Sequence, residues 1–331
     1  MKINILLELK EGAWGGANQY LKLLKKELSN RGIYEENANR ADVIIFNSYH
    51  NITKAILMKI LFPKKVLVHR LGPYFYLHRN PKWKIIDSLI IEISNSISDL
   101  IVFQSDWSYR KAISKFDLNK SKKCSIIGNS SDRNIFYPKD NTHMEGKIKL
   151  ITASWSSNIK KGAKYYEFLD NNLDFSKYDM TFVGNSKIKF KNIKIIDPLP
   201  SNKLADEMRK NDIFISAVED DACSNTIVEA LSCGLPLVAL ASGGNAEIIK
   251  KGGELFSTNH EMLEKIELVK NNYLHYKNNI EVNSIENSAD QYLNSIKEVR
   301  VQGRGGVIKK FKLCYLYVKT CLILLLFKII R

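Results

Sequence analysis

The stretch DIFISAVEDDACSNTIVEALSCGLPLVALASGG (212–244) is the one whose reading decides the fold. Its first six residues (212–217) and the run 235–241 are short and apolar, as buried strands are. Between them the acidic loop Glu219-Asp220-Asp221 leads into a helix that starts near Ser224 and runs through Glu229. Gly234-Leu235-Pro236 stops that helix. Strand, helix and strand in this order predict a crossover connection and a parallel sheet. Asn225 and Thr226 fall in the first helical turn, where backbone N–H groups without intrahelical partners attract phosphate or hydroxyl oxygens. Asp221 precedes Glu229 by eight positions, so one carboxylate sits in the loop and the other inside the helix. Such a pair accepts hydrogen bonds from several hydroxyls at once. The plainer reading is an acidic loop that only complements the helix dipole; the flanking residues weigh against it.

The same alternation extends outward in both directions. Residues 149–155, 180–186 and 193–197 read as further strands, with a helix near Ala163 to Leu169. Toward the N-terminus, residues 3–9, 41–48, 64–70, 99–105 and 123–129 are apolar strands separated by helical spacing, and Ser105 is placed to cap the helix after it. The polar segment 139–148 reads as a linker. The 331 residues and 45% hydrophobic content suit two α/β domains, 1–138 and 149–280, followed by a helix at 281–301 and a basic apolar tail at 302–331. QGRGG (302–306) reads as a hinge before that tail. Five scattered cysteines with no metal spacing predict reduced thiols, a cytoplasmic setting and no bound metal.

The net charge of +15 is concentrated. Residues 301–331 carry seven Lys or Arg and no acid, and residues 43–86 carry eight with no acid. Two such regions point to an anionic partner surface. Nucleic acid is set aside, because the tail interleaves Lys with Leu and Ile more than with stacking aromatics. The apolar run 313–330 would reach about 27 Å as a helix, barely a bilayer core, with Lys319 inside it. An interfacial helix over 308–331 on the inner face of the cell membrane is the favoured reading; a true span and a helix docked on the protein's own surface are the alternatives. Residues 52–65 mix apolar residues with Lys and could meet the same surface.

The acid, seven residues, Glu, then Ala-Leu-Ser-Cys-Gly-Leu-Pro resembles the nucleotide-binding signature of retaining glycosyltransferases of the GT-B fold, specifically glycosyltransferase family 4. The resemblance implies two Rossmann-like domains and transfer of a sugar from a nucleotide-sugar donor, a UDP- or GDP-sugar, to a saccharide or lipid-linked acceptor in cell-surface polysaccharide synthesis. It implies no separate cofactor. By this resemblance Glu229 holds the donor ribose and Asp221, or Asp220 beside it, lies near the donor sugar. Gly15 and Gly16 resemble the family's glycine loop. Lys161, with Lys160 beside it, resembles the lysine that meets the diphosphate; many members carry an Arg five residues earlier, where this chain has Ser156. Ser224, Asn225 and Thr226 fall at the nucleotide side, and Ser242, Gly243 and Gly244 at a turn next to the donor. His69 and Arg70, before Leu71-Gly72-Pro73, are candidates for contact with the transferring sugar or diphosphate, although the Asp many relatives have there is missing. Asn129, Ser131 and Asp132 resemble a turn of mainly structural use. The departures at Ser156 and near Gly72 leave a second reading, a noncatalytic glycan-binding or partner subunit.

Overall fold

The computed structural model describes residues 1–10, 16–138, 146–299 and 307–330. The predicted linker and hinge fall mostly on residues outside those ranges. The chain forms two compact units. Unit 1 comprises Met1–Leu9, Leu21–Ile127 and Glu286–Arg331, and unit 2 comprises Lys10–Tyr20 and Gly128–Ile285. The division thus falls at Ile127 rather than near residue 138, and the end of the chain returns to unit 1.

Unit 1 runs β1 (Ile3–Ile5), α1 (Gly16–Asn30), β2 (Val43–Asn47), α2 (Ile52–Leu61), β3 (Val66–Arg70), α3 (Phe75–His78), α4 (Lys84–Ile97), β4 (Leu100–Phe103), α5 (Asp106–Lys115) and β5 (Cys124–Ile126), with the first turn of α1 counted in unit 2. Its five strands are parallel in the order β1-β2-β3-β4-β5. All five residues of β2 and all four of β4 are buried, because helices cover both faces of a parallel sheet. The predicted cap is present: Ser105 Oγ accepts from the Ser108 N–H while Ser108 Oγ accepts from the Ser105 N–H, closing a capping box on α5.

Unit 2 contains β6 (Ile148–Ser154), α6 (Ala163–Asn172), β7 (Tyr178–Gly184), β8 (Lys194–Ile196), α7 (Ser201–Met208), β9 (Ile213–Ser216), α8 (Asn225–Ser232), β10 (Leu237–Leu240), α9 (Asn245–Ile249), β11 (Gly253–Phe256), α10 (Asn259–Asn271) and α11 (Tyr273–Asn278). Its six strands are also parallel, in the order β11-β10-β9-β6-β7-β8. The order reverses between β6 and β9, and ligand crevices of open parallel sheets lie beyond the strand C-termini at such a switch. Strand β11 was not anticipated from the sequence, because GELF supplies few β-branched residues.

Two helices complete unit 1: α12 (Ile285–Lys297) and α13 (Val307–Ile330). Helix α12 is tied back by Arg31–Asp290 at 2.5 Å and by Ser125 Oγ donating to Ser295 Oγ at 2.9 Å. Helix α13 buries Leu313 and Leu316 in the cluster that holds Ile56, Leu89 and Ile93. The reading of a docked C-terminal helix therefore holds for this face. No described helix is long and apolar enough to cross a membrane.

Candidate functional site

The side chains of unit 2 that the sequence singles out follow the C-terminal ends of β6, β9 and β10. Helix α8 begins at Asn225 as the motif predicts, and Gly234 adopts φ +78° just beyond its end. Ser224, at the N-cap, makes no capping bond; its hydroxyl pairs with that of Thr226 at 3.1 Å. Asn225 Oδ1 accepts from Asn129 Nδ2 at 2.6 Å, and Asn225 Nδ2 donates to the Gly16 carbonyl at 3.0 Å. Gly15 lies outside the described residues. Asn129 also donates to the Cys223 carbonyl, so the turn it resembles braces the start of α8.

Gly16, Gln19, Asn225, Thr226 and Glu229 help to line a cavity of about 120 Å³. The rest of the lining, besides Ala153, Ser154 and Ser201, is Trp155, Val183, Gly184, Pro198, Leu199 and Leu204. None of these six stood out in the sequence. The signal was available in Gly184, where strand β7 ends with φ +128°; a Cβ there would come within 1.9 Å of the Ser154 carbonyl oxygen. A residue confined to glycine at a strand's ligand end lets two strand ends close into a narrow slot.

Glu229 is half-buried, and its carboxylate has no hydrogen-bond or ion-pair partner among the described residues. Loss of water contact alone raises its pKa to about 8. An unsatisfied carboxyl group facing a cavity is costly unless something in the cavity donates to it.

Lys160 and Lys161 line a neighbouring cavity that shares Ser154 with the first. Both ammonium groups are engaged by the acidic loop. Lys161 Nζ lies 3.1 Å from Asp221 Oδ2, and Lys160 Nζ lies 3.0 Å from Asp220 Oδ2 and 3.6 Å from Glu219. The Asp220 hydrogen bond is the main reason the Lys160 pKa is raised. Asp220 and Asp221 therefore divide the two lysines between them.

Ser242 and the two glycines pack on the same loop. Ser242 Oγ accepts from the Asp220 N–H at 2.9 Å, and the Gly244 N–H donates to the Asp221 carbonyl at 2.8 Å. Gly243 has φ +61°, and a Cβ there would meet that carbonyl at 2.2 Å. The glycine requirement at this turn is met by the acidic loop's own backbone.

His69 and Arg70 behave differently from the expectation. His69 is 0% exposed, stacks on Phe46 with ring centroids 4.0 Å apart, and has both ring nitrogens occupied, by the Ser48 carbonyl at 2.9 Å and Ser94 Oγ at 2.8 Å. Burial depresses its pKa to about 3. This corrects its assignment as a catalytic candidate: a neutral, fully enclosed imidazole within the sheet is a packing group. Arg70 is also 0% exposed, with Nη1 donating to Asn47 Oδ1 at 2.8 Å at the ends of β2 and β3. It too faces the interior of unit 1. Among the described residues no group of three or more His, Cys, Asp or Glu side chains is arranged to hold a metal ion.

Residues 175–271 match the family described as Glycosyl transferases group 1. A probable sucrose-phosphate synthase of Thermosipho melanesiensis is 26% identical over 204 residues, covering 54% of this chain and 48% of that protein. The chain thus spans about half the length of that relative. Among solved structures, sucrose-phosphate synthase from Thermosynechococcus elongatus superposes with a TM-score of 0.65 at 11% identity, over 96% of this chain and 98% of its own. Anabaena HepE in complex with UDP and glucose superposes with a TM-score of 0.68 at 16% identity, over 90% of this chain and 100% of its own. The fold is that of the GT-B glycosyltransferases, and within it residues 175–271 are similar to the Glycosyl transferases group 1 family.

Proposed function

We propose that the chain transfers a glycosyl group from a nucleotide-sugar donor held in unit 2. The observation that carries this reading is Glu229, a carboxyl group without a partner among the described residues, lining a cavity together with the apolar side chains of Trp155, Val183 and Leu199. A nucleoside fits that cavity: the base lies against Trp155, Val183 and Leu199, and ribose hydroxyls donate to Glu229. The diphosphate then runs toward Lys160 and Lys161 past Ser154, which lines both cavities. There its oxygens compete with Asp220 and Asp221 for ammonium groups, exchanging one ion pair for another. HepE has been solved with UDP-glucose, which supports a UDP-sugar as donor.

In this reading the transfer is retaining and metal-independent, as the family resemblance implies. The diphosphate departs on the face the acceptor hydroxyl enters and takes up its proton, while Lys161 and the first-turn N–H groups of α8 stabilise the leaving charge. Asp221 orients Lys161 and lies beside the donor sugar. The acceptor is a saccharide, carried on a lipid in cell-surface polysaccharide synthesis. A panel of nucleotide sugars tested by thermal shift, followed by transfer assays with the stabilising donor, checks the proposal. A donor at 100 times its dissociation constant stabilises by about 2.7 kcal/mol. If no nucleotide sugar raises the melting temperature, the donor-site reading fails.

A further inference from the structure

Helix α13 is apolar on two opposite sides. Inward, Leu313, Leu316 and Thr320 are buried, Phe327 meets Trp83 edge to face with centroids 4.6 Å apart, and Lys319 Nζ pairs with Glu92 at 2.7 Å. Outward, Phe311, Tyr315, Val318, Leu322, Leu325 and Leu326 are 55–72% exposed. Their spacings of four, three, four, three and one place them on one side of the helix. A helix that serves only to cap its own domain needs one apolar face. Soluble proteins seldom leave a second one bare.

The place where α13 docks supplies the rest. It packs on α2 and α4, which lie in or begin within residues 43–86, the other stretch without acids. Two acid-free segments far apart in sequence are thus laid against each other on unit 1. Some of their cations are used internally: Lys59 pairs with Asp99 at 2.6 Å, and Arg70 with Asn47. This narrows the expectation for residues 52–65, since Lys59 and most of the apolar side chains there belong to the core. Lys54, Lys64, Lys84, Lys310 and Lys312 remain exposed, and α2 adds exposed Leu57 and Leu61. Glu92, the carboxylate bonded to α13, is already matched by Lys319.

We propose that this side of unit 1 docks on an anionic phospholipid surface. The α13 stripe enters the boundary between headgroups and acyl chains, and the lysines meet lipid phosphates. A second copy of the chain would also cover the stripe. It would, however, bring lysine-rich surfaces together, whereas an anionic bilayer neutralises them.

Flotation of the full chain with vesicles tests this, using phosphatidylglycerol mixed with phosphatidylcholine against phosphatidylcholine alone. The wild type floats with the anionic vesicles and partitions at least tenfold less onto neutral ones. L322E/L325E and K310E/K312E each lower partitioning onto anionic vesicles at least tenfold. Their melting temperatures stay at the wild-type value, because all four side chains are exposed. Wild type that fails to float with anionic vesicles overturns the proposal, as do variants that float equally well. A dimer that L322E/L325E disperses, without any flotation, overturns it in favour of self-association.

Discussion

Replacing Glu229 by Gln should make the protein more stable and a poorer nucleotide binder at the same time. The carboxyl group ionises at about 8 in the folded chain, against 4.5 for an ordinary glutamate, because burial penalises the charged form. The folded state therefore holds this proton more tightly than the unfolded state does. Stability from this group is greatest below pH 4.5, falls as pH rises toward about 8, and is level above that. At about 1.4 kcal/mol per unit, the full shift would cost about 5 kcal/mol. The side chain is only half-buried at the edge of an open cavity, so about 1–2 kcal/mol is the expected cost at pH 8. For a unit of this size that is about 3–6 °C in Tm. Glutamine keeps the shape and never ionises. Thermal unfolding from pH 5 to pH 9 should show the Tm gap between E229Q and wild type opening as pH rises. Titration with UDP at pH 7 should show at least tenfold weaker binding, about 1.4 kcal/mol, because an amide accepts less strongly than a carboxylate. Bound hydroxyls favour the charged form, so wild-type binding should also release protons, seen as a buffer-dependent binding enthalpy. A Tm gap that does not change with pH refutes the burial argument. Unchanged UDP affinity refutes the ribose assignment.

Other consequences are checked more simply. Lys161→Ala should cut transfer at least tenfold in kcat/KM, while its half-exposed pair with Asp221 costs under about 1 kcal/mol of stability in urea unfolding. Gly184→Ala forces a side chain to φ +128° and against the Ser154 carbonyl, which should cost about 2–4 kcal/mol and distort the slot; an unchanged urea midpoint would contradict the packing described. His69→Gln should leave the shape of the pH–rate profile intact, because this imidazole stays neutral down to about 3 and contributes no limb near 6.5. The stability His69 lends is complete above pH 6.5 and is lost as pH falls toward 3, so acid unfolding of H69Q should begin at lower pH than in wild type.

The described strands other than β11 were legible because buried parallel strands read as unbroken apolar runs, as VIIFN of β2 and IFIS of β9 do. Helix α8 was legible because its stop signal, Gly234-Leu235-Pro236, is chemically unambiguous. The slot wall was not. Trp155 follows β6, Val183 and Gly184 end β7, and Pro198 and Leu199 follow β8, so only the sheet order brings them together. His69 misled for the opposite reason: ring nitrogens at a strand end look available until the partners Ser48 and Ser94, 21 and 25 residues away, are in place. Gly243 reads as a site of ligand approach, yet the atom that excludes a side chain there is the Asp221 carbonyl. A sequence shows that a position must be small without showing which neighbour makes it so.

The return of α12 and α13 to unit 1 sets an order of events during synthesis. Most of unit 2 is the continuous stretch 128–285, whereas unit 1 needs residues from both ends of the chain. Domains usually complete themselves from the N-terminus as the ribosome releases them. Here the first strands and helices emerge early but lack their last two helices until after unit 2 has been made. For that interval the surface later covered by Leu313 and Leu316 stays open, with Ile56, Leu89 and Ile93 beneath it. The nascent N-terminal half is thus the stage most exposed to chaperones and to misassembly. Late truncations should harm the first-made half of the protein more than the half that adjoins them.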